Sequence, residues 1–313
     1  MKTNRRYELT IEFSRASYNT GIVPPLSFSP FTVGEIKSAS ARYDAVTIKN
    51  PLSLNFDVQR NQLRSANVAN LTVLNLGEDL RRRIYHDRFD TTTYRRMILK
   101  AGYAEKGNER LSVIFQGNIK QAFSVRRGTE WETHIEGYDG GDAIINSIVS
   151  RTFIAGTKMS EIMTGVVNTM GLPINSISLY PEVNKRAFVA FGNSWDVLYT
   201  MRPIGTTTYI DNEQVNIITS NQYIPSEQIT IDSEMGILET PQRSDALITV
   251  TMLFEPRLKI GQGVDLRSIA GANNGFYKVV GIEHSGTISE AVGGKCTTKV
   301  TLYAGETPLE QAP

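Results

Sequence analysis

Residues 66–85, ANVANLTVLNLGEDLRRRIY, combine two periodicities in one short stretch. Alternate positions in the first part are apolar: Ala69, Leu71 and Val73. Apolar positions in the second part are four residues apart: Leu76, Leu80 and Ile84. A period of two is typical of a half-buried strand, and a spacing of four is typical of one face of a helix. The stretch therefore predicts a strand that ends near 75–77 and leads directly into a short helix.

Charged and polar residues in the same stretch support the helix. Asn75 and Glu78 have the spacing of a capping box, in which two side chains satisfy free amides of the first turn. Acids at 78–79 and arginines at 81–83 complement the helix dipole. No catalytic residue set accompanies them, so the stretch favours an architectural role over an enzymatic one.

The rest of the first third repeats the strand pattern. Apolar residues alternate with polar ones in three further segments: Leu9, Ile11 and Phe13; Leu52, Leu54, Phe56 and Val58; and Leu111, Val113 and Phe115. A single short helix among so many strands predicts a closed or nearly closed β-barrel with a helical lid.

The middle of the chain changes period. Residues 157–171 have helical spacing, and a second helix is predicted to begin at Asn193 or Ser194 and to end before Pro203. A tight turn between two strands is predicted at 211–212. Each helix is followed by a strand, which indicates a small α+β insert.

The last third returns to strands, in the segments ALITVTMLF, GVDLRS, GFYKVVGIEH and CTTKVTLYA, and predicts a second barrel. The fold class is therefore mainly β, with two barrel domains that flank an α+β domain. The predicted domains are residues 1–140 for the first barrel, 141–227 for the insert and 228–313 for the second barrel.

Composition limits the classes of function. The 313 residues are 40% hydrophobic and carry a net charge of +1, which gives no overall attraction to nucleic acid or to an anionic membrane. Neither a signal peptide nor an apolar run of membrane-spanning length is evident. The single cysteine, Cys296, excludes an intrachain disulfide and fits a reducing compartment, and its alternating neighbours predict that it packs inside.

The charge is unevenly distributed along the chain. Residues 78–127 contain twelve Lys and Arg against six Asp and Glu, whereas residues 211–245 contain seven Asp and Glu against one Arg. Such asymmetry can mark complementary surfaces. The alternative is that both stretches are ordinary solvated faces. The basic stretch, which also contains Tyr85, Phe89 and Tyr94, could contact a phosphate backbone.

The motifs of common active sites are missing or incomplete. Glu132, His134 and Glu136 alternate, so a strand would present all three on one face, but its outer two would lie about 13 Å apart. They are therefore expected to be solvated residues rather than metal ligands. The chain contains no HExxH, GxSxG or CxxC, and its glycine-rich segments lack the full spacing of a nucleotide loop. We expect no cofactor and no metal.

The order of these motifs resembles a known family. The segment ANVANLTVLNLGEDLRRRI followed by ILKAGY and LSVIFQGNI is similar to the first tube-like domain of bacteriophage tail baseplate hub proteins. The later segments GNSWDVLYTMRPIGTTTYID and LFEPRLKIGQGVDLRS, with NGFYKVVGIEHSGT, are similar to that family's middle insert and second tube-like domain. The resemblance covers nearly the whole chain.

The resemblance implies a structural protein of the virion baseplate, assembled in the cytoplasm of the host bacterium. A hub of this kind is a homotrimer whose two tube-like barrels per chain form a pseudo-sixfold ring. The ring joins the hexameric tail tube to the threefold spike and lines the channel. The implied partners are the tail tube protein, the spike protein and other baseplate proteins, with tape measure protein and genomic DNA passing through the channel and no membrane involved.

Two alternatives remain open from the sequence. The same hub fold could belong to a pyocin or a type VI-like injection particle. The chain could instead be an enzyme that acts on peptidoglycan or carbohydrate through acids such as Glu132 and Glu136.

Two sets of residues are candidates for subunit contacts. The polar, proline-containing connection at 14–31 is too long for an ordinary hairpin loop, so Tyr18, Pro24 and Pro25 are expected to reach a neighbouring subunit or partner. The basic stretch offers a second set, which is expected to face acids of residues 211–245 or of a partner: Arg81, Arg82 and Arg88.

Overall fold

A computed structural model describes residues 4–14, 43–89, 95–105, 108–178, 180, 182–290, 294–304 and 307–309. The described residues of the first part form seven strands and one short helix, in agreement with the alternating pattern. These elements are β1 (Arg5–Ser14), β2 (Tyr43–Lys49), β3 (Leu54–Asn61), β4 (Val68–Leu74), α1 (Glu78–Ile84), β5 (Arg95–Glu105), β6 (Asn108–Arg127) and β7 (Glu130–Tyr138).

The middle of the chain is an α+β segment. Its elements are α2 (Gly141–Asn146), β8 (Ile148–Phe153), α3 (Met159–Val167), a 3₁₀ turn (Asn168–Met170), β9 (Ile174–Ile177), β10 (Phe188–Asn193), α4 (Ser194–Met201), β11 (Thr206–Asp211) and β12 (Gln214–Thr219). Strands β8 and β10 form a two-stranded sheet, while β11, β12 and β9 form a three-stranded one. Both predicted helices are confirmed, and the second begins at Ser194 because the Asn193 side chain accepts a hydrogen bond from the Asp196 amide.

The last part is again made of strands. They are β13 (Gln222–Asp232), β14 (Gln242–Ser244), β15 (Leu247–Leu253), β16 (Gln262–Arg267), β17 (Gly275–Ile288), β18 (Cys296–Ala304) and β19 (Thr307–Pro308). All seven join the strands of the first part in one 14-stranded sheet. Its main path has the order β14-β15-β18-β17-β3-β4-β7-β6-β5-β1-β2, and β16, β13 and β19 branch from β17. The chain is therefore mainly β, with a large antiparallel sheet.

The long strand β17 joins the first and last parts of the chain by pairing with strands of both. On one side it pairs with β18 along most of its length. On its other side, residues 275–278 pair with β16, and residues 281–288 then pair with β3. We call the strands of the first part, β1 to β7, the first β unit, and those of the last part, β13 to β19, the second β unit. The two units are joined edge to edge where β17 pairs with β3. Within the described residues the pairings form an open path from β14 to β2, and no pairing joins its two ends into the closed barrel that the pattern favours.

The buried apolar residues form three cores. The first lies under β1 to β7 and includes three residues from the end of the chain, Phe254, Ile288 and Cys296. The second lies among the strands of the last part, and the third lies in the α+β segment around α3 and α4. The domain boundaries at 140 and 227 remain a prediction.

The hairpin β11–β12 anchors the α+β segment to the first β unit. Its two turn residues, Asn212 and Glu213, both have left-handed backbones, with φ of 53° and 58°. The predicted turn at 211–212 is therefore displaced by one residue. Asp139, at the end of β7, accepts hydrogen bonds from both turn amides at 2.7 Å, and these bonds hold this conformation.

Arg60 of β3 holds the same hairpin through a buried ion pair. Its guanidinium donates to both carboxylate oxygens of Asp211, at 2.8 and 2.7 Å, and its side chain is almost completely buried. It also donates to the Ile114 carbonyl of β6. Asn67 completes the contact by donating to Asp139 and to the Ile210 carbonyl.

Burial, followed by the nearby charge of Asp211, raises the pKa of Asp139 to about 7.

We expect Arg60→Ala to destabilise the protein strongly. The change leaves the Asp211 carboxylate without its buried cation, and breaking a buried ion pair costs about 3–5 kcal/mol. Arg64→Ala is the matched control, because Arg64 pairs with Asp196 across the same two parts of the chain but at an exposed position. Its cost should be about 0–1 kcal/mol. Denaturant unfolding of both variants measures the difference, and equal losses would contradict the role given to Arg60.

Cys296 packs inside, as predicted, and lies in the first core. Burial raises the pKa of its thiol to about 12. At pH 8 we expect a thiol reagent to modify the native protein on the order of a thousandfold more slowly than the unfolded chain, because the thiolate is the reacting species. A Cys296→Ala, Ala270→Cys variant, with its cysteine at an exposed loop position, is the control and should react rapidly without denaturant. Fast labelling of the native wild-type protein would show that this core opens readily.

Candidate assembly surfaces

The corner between β4 and α1 is fixed by Asn75. This residue has a left-handed backbone with φ of 57°. Its amide donates to the Trp131 carbonyl at 2.8 Å, and its side-chain oxygen accepts from the Trp131 amide at 3.0 Å. The predicted capping box is therefore wrong. Gly77 is the N-cap of α1 without a side-chain bond, because the Asn75 side chain is used to hold β7.

The arginines of this corner have local contacts. The Arg81 guanidinium lies 3.8 Å from the ring centroid of Trp131, and Arg82 pairs with Glu78 at 2.5 Å. Arg88 lies 5.8 Å from the ring centroid of Phe89, whose own side chain is 83% exposed. Within the described residues no acid forms an ion pair with Arg81 or Arg88. The corner thus presents a half-buried pair, Arg81 and Trp131, and an exposed pair, Arg88 and Phe89.

The acidic stretch divides into a buried part and an exposed part. Asp211 pairs with Arg60, and Glu213 pairs with Arg96 of β5 at 2.6 Å and accepts a hydrogen bond from Gln116. These two acids are therefore neutralised inside the chain. The exposed acids that remain are Glu227, Glu234, Glu239 and Asp245, of which Glu227 lies 3.8 Å from Arg257. The acids of this stretch that another molecule could reach are therefore this second group and the half-buried Asp232.

The outward face of the large sheet is polar across many strands. One row of cross-strand neighbours consists of Ser285, Asp57, Asn70, Glu136 and Gln121, on β17, β3, β4, β7 and β6. Thr287, Asn55, Thr72, His134 and Phe123 form the next row. The opposite face supplies the cores, so the sheet has the apolar-in and polar-out character of an antiparallel sheet with one solvated side.

Charges on this polar face are mostly paired with one another. Glu283 lies 3.8 Å from Lys299, Glu8 lies 3.5 Å from Lys100, and Glu12 lies 3.4 Å from Arg96. The result is a wide surface of amides, hydroxyls and compensated charges, with few apolar side chains for a partner protein to cover.

The three alternating residues of β7 lie on this polar face, as predicted. His134 Nδ1 shares a hydrogen bond with Thr72 Oγ1 at 3.1 Å, and Nε2 lies 3.3 Å from Glu132. Glu136 instead accepts a hydrogen bond from the Tyr138 hydroxyl. Glu132 and Glu136 therefore have separate partners and do not converge on one point. Among the described residues no cluster of His, Cys, Asp and Glu could hold a metal ion.

The other two histidines lie elsewhere in the fold. His86 forms an isolated bridge with Ala122 of β6. His284 of β17 is completely buried against Phe254, and burial lowers its pKa to about 3. The three histidines thus belong to three different environments and do not form a common site.

The other candidate residues, Tyr18, Pro24 and Pro25, lie outside the described residues. In the part of the chain that is described, no helix is long and apolar enough to cross a membrane.

An exposed apolar surface lies on the α+β segment, at a place where the sequence pattern predicts none. The sheet formed by β8 and β10 presents apolar side chains to solvent, including Ile148 and Phe191. Its signal in the sequence is the run Phe188–Phe191, in which every residue is apolar although the segment is a strand. A strand with one solvated face normally alternates, so an unbroken apolar run on a surface strand indicates two covered faces.

Comparison with known proteins supports the assignment suggested by these features. A family model described as baseplate hub gp41 matches residues 33–287. No sequence match is found among curated proteins. The fold is similar to the 43 kDa tail protein of prophage MuSo2 from Shewanella oneidensis, with a TM-score of 0.57 and 7% identity, over 82% of this chain and 94% of that one.

Two further structures share the fold. A tail protein from Neisseria meningitidis MC58 has a TM-score of 0.51 and 9% identity, over 81% of this chain and 96% of that chain. A chain of the Francisella PdpA-VgrG complex has a TM-score of 0.53 and 10% identity, over 99% of this chain and 54% of that one. The structural likenesses establish the fold, and the family match covers well over half of the sequence. The chain belongs to the family of baseplate hub gp41 proteins, a family of structural phage tail proteins rather than enzymes.

Proposed function

We propose that this chain is the structural hub of a phage tail baseplate, and that three copies form a ring between the hexameric tail tube and the threefold spike. The observation that carries the proposal is the pair of β units joined through β17 and β3. Three chains with two such units each provide six β units around an axis. A ring of this kind can face sixfold symmetry on one side and threefold symmetry on the other.

The division into two tube-like units that flank the α+β insert is part of the same proposal. It is supported by the separate cores of the first and last parts of the chain. In the ring, neighbouring copies would cover the sheet edges that have no partner among the described residues, such as those of β2 and β14. An exposed sheet edge otherwise invites uncontrolled pairing.

The polar face of the large sheet is our proposed channel lining. Amides, hydroxyls and paired charges suit a wall past which a polymer must slide, because they offer neither a large apolar patch nor a strong field of one sign. Tape measure protein and then genomic DNA would pass along it. Tail tube, spike and other baseplate proteins would bind at the rims, in a particle assembled in the host cytoplasm.

Contacts between copies are assigned to the two sets of residues predicted from the sequence. Arg81, Arg82 and Arg88 would face the exposed acids of 227–245 on a neighbour, since Asp211 and Glu213 are already paired within the chain. Tyr18, Pro24 and Pro25 would reach a neighbouring subunit or partner.

A type VI-like or pyocin particle is the second candidate. The likeness to a chain of the Francisella PdpA-VgrG complex, over 99% of this chain, favours it. In that case the hub would play the same structural role beside a different spike. The genes that surround the coding sequence would distinguish the two particles.

The trimer is tested by the mass of the protein in solution. If the protein forms the trimer by itself, we expect light scattering to give about 104 kDa, three times 34.8 kDa. If the trimer needs the spike protein, we expect the mass of the complex to correspond to three copies of this chain plus the bound spike protein. Electron microscopy of assembled tails should show the chain in a threefold ring at the end of the tube. A protein that remains monomeric with the spike protein present, together with a tail map without such a ring, would overturn the proposed function.

The basic corner is tested by reversing its charges. Arg81→Glu, Arg82→Glu and Arg88→Glu together should weaken assembly markedly at low salt, and the defect should shrink as salt screens the new repulsion. Stability of the monomer should fall by only about 1–2 kcal/mol, mainly through loss of the Arg81–Trp131 contact.

The same three positions changed to Gln provide the matched control. This variant loses the contact of Arg81 with the aromatic ring of Trp131 and the ion pair of Arg82 with Glu78, but it adds no repulsion. Its assembly should therefore be closer to that of the wild type. Normal assembly of the Glu variant would show that these arginines serve only the local structure of α1.

A further inference from the structure

The two-stranded sheet of β8 and β10 carries apolar residues on the face that points to solvent. Cross-strand register places Ile148, Ser150 and Thr152 on the same face as Asn193, Phe191 and Val189. The three apolar members of this face are 66–75% exposed. Ile154, directly after β8, is 76% exposed and lies at one end of the face. We call this surface, residues 148–154 and 187–193, the apolar ribbon.

The apolar ribbon is a stable part of the fold. Its inner face, with Val149 and Ala190, belongs to the third core and packs on the helices of the α+β segment. Asn193 fixes one end by donating a hydrogen bond to the Ile144 carbonyl. The outward apolar residues are therefore held in place by the packing of the inner face. Contiguous exposed apolar surface of this kind marks an interaction site.

Its size limits what can cover it. Seven residues at about 3.3 Å each give a length of about 23 Å, and two strands about 4.8 Å apart give a width near 10 Å with their side chains. An α-helix is about 10 Å wide, and about fifteen residues span 23 Å. One helix of four turns would cover the ribbon, whereas the face of another sheet would extend far beyond it.

The charges at one end indicate the character of that helix. Lys185 and Arg186 lie just before β10, which begins at Phe188, and with Glu182 they line a shallow concavity of about 520 Å³. Lys158 lies beside the same end, through its bridge to Val183. In the described part of the chain these three cations form no ion pair, and Glu182 is the acid among them. The excess of positive charge favours an acidic partner.

We propose that the apolar ribbon binds an amphipathic helix of another tail protein, with apolar residues along one face and acidic residues at the end over Lys185 and Arg186. This inference rests on the proposed function, because it places the ribbon on the outside of an assembled hub. The apolar contacts supply the affinity, and the cations set the direction of the bound helix.

Photocrosslinking in assembled particles tests the proposal. The probe is p-benzoylphenylalanine at position 191, whose side chain occupies nearly the same place as Phe191. The control carries the probe at position 269, where the exposed Ile269 lies outside the ribbon. We expect the probe at 191, and not at 269, to crosslink to a helical segment of another particle protein that contains acidic residues. A crosslink to a second copy of this chain, to a sheet, to nucleic acid or to nothing would overturn the proposal.

Substitutions provide a second measurement on the same particles. Ile148→Ser with Phe191→Ser should reduce the bound partner at least tenfold, and Lys185→Glu with Arg186→Glu should reduce it several-fold. Neither pair should lower the melting temperature, because all four side chains are exposed. The control is Ile204→Ser with Ile269→Ser, which removes apolar surface elsewhere and should leave the partner in place.

The two proposals fail in different ways. If the wild-type chain does not enter a tail, the proposed function is overturned. If it enters normally but the ribbon variants retain the partner and position 191 gives no crosslink to a helix, only the ribbon proposal is overturned.

Discussion

The buried guanidinium of Arg60 lies where the parts of this protein meet. Its backbone belongs to β3, directly opposite Ile282 of the shared strand β17, and its side chain holds Asp211 of the insert hairpin. A buried cation is tolerated only when a carboxylate and further acceptors satisfy it, so the position of the hairpin is strictly defined. Arg60 thus contacts all three parts of the chain, and Asp139 and Arg96 hold the same hairpin beside it. The position of the insert hairpin on the first part of the chain depends on these contacts.

Patterns formed by residues close together in the sequence correctly predict individual strands and helices in this chain. The alternation in 69–73 and the four-residue spacing in 76–84 are properties of consecutive residues, and they give β4 and α1 directly. The capping box failed because Asn75 has a competing partner, the Trp131 amide, which is 56 residues away. The turn of β11–β12 shifted for a similar reason, since Asp139 stabilises a left-handed Glu213 that local preferences disfavour.

Long-range pairing could not be read from the sequence. The sequence predicts a strand in GFYKVVGIEH, residues 275–284, and β17 continues beyond it to Ile288. Nothing in these residues indicates that one half of β17 pairs with β16 and the other half with β3. The charge asymmetry has an explanation within the chain for two of its acids, because Asp211 pairs with Arg60 and Glu213 pairs with Arg96. That the exposed acids contact another copy remains a prediction. The exposed face of β8–β10 depends on which side the helices cover, which sequence periodicity does not specify.

The shared strand β17 also gives the molecule a direction of mechanical strength. Eight residues of β17 are in register with β3, from Gly281 to Ile288. A force that slides the two β units along the strand axis loads all of these pairs together, whereas a force that peels β17 from β3 loads them one after another. Hydrogen bonds that share a load break together at high force, and those loaded in turn separate at low force. We therefore expect the pairing of β17 with β3 to resist shear along the strand axis at a higher force than peeling across it.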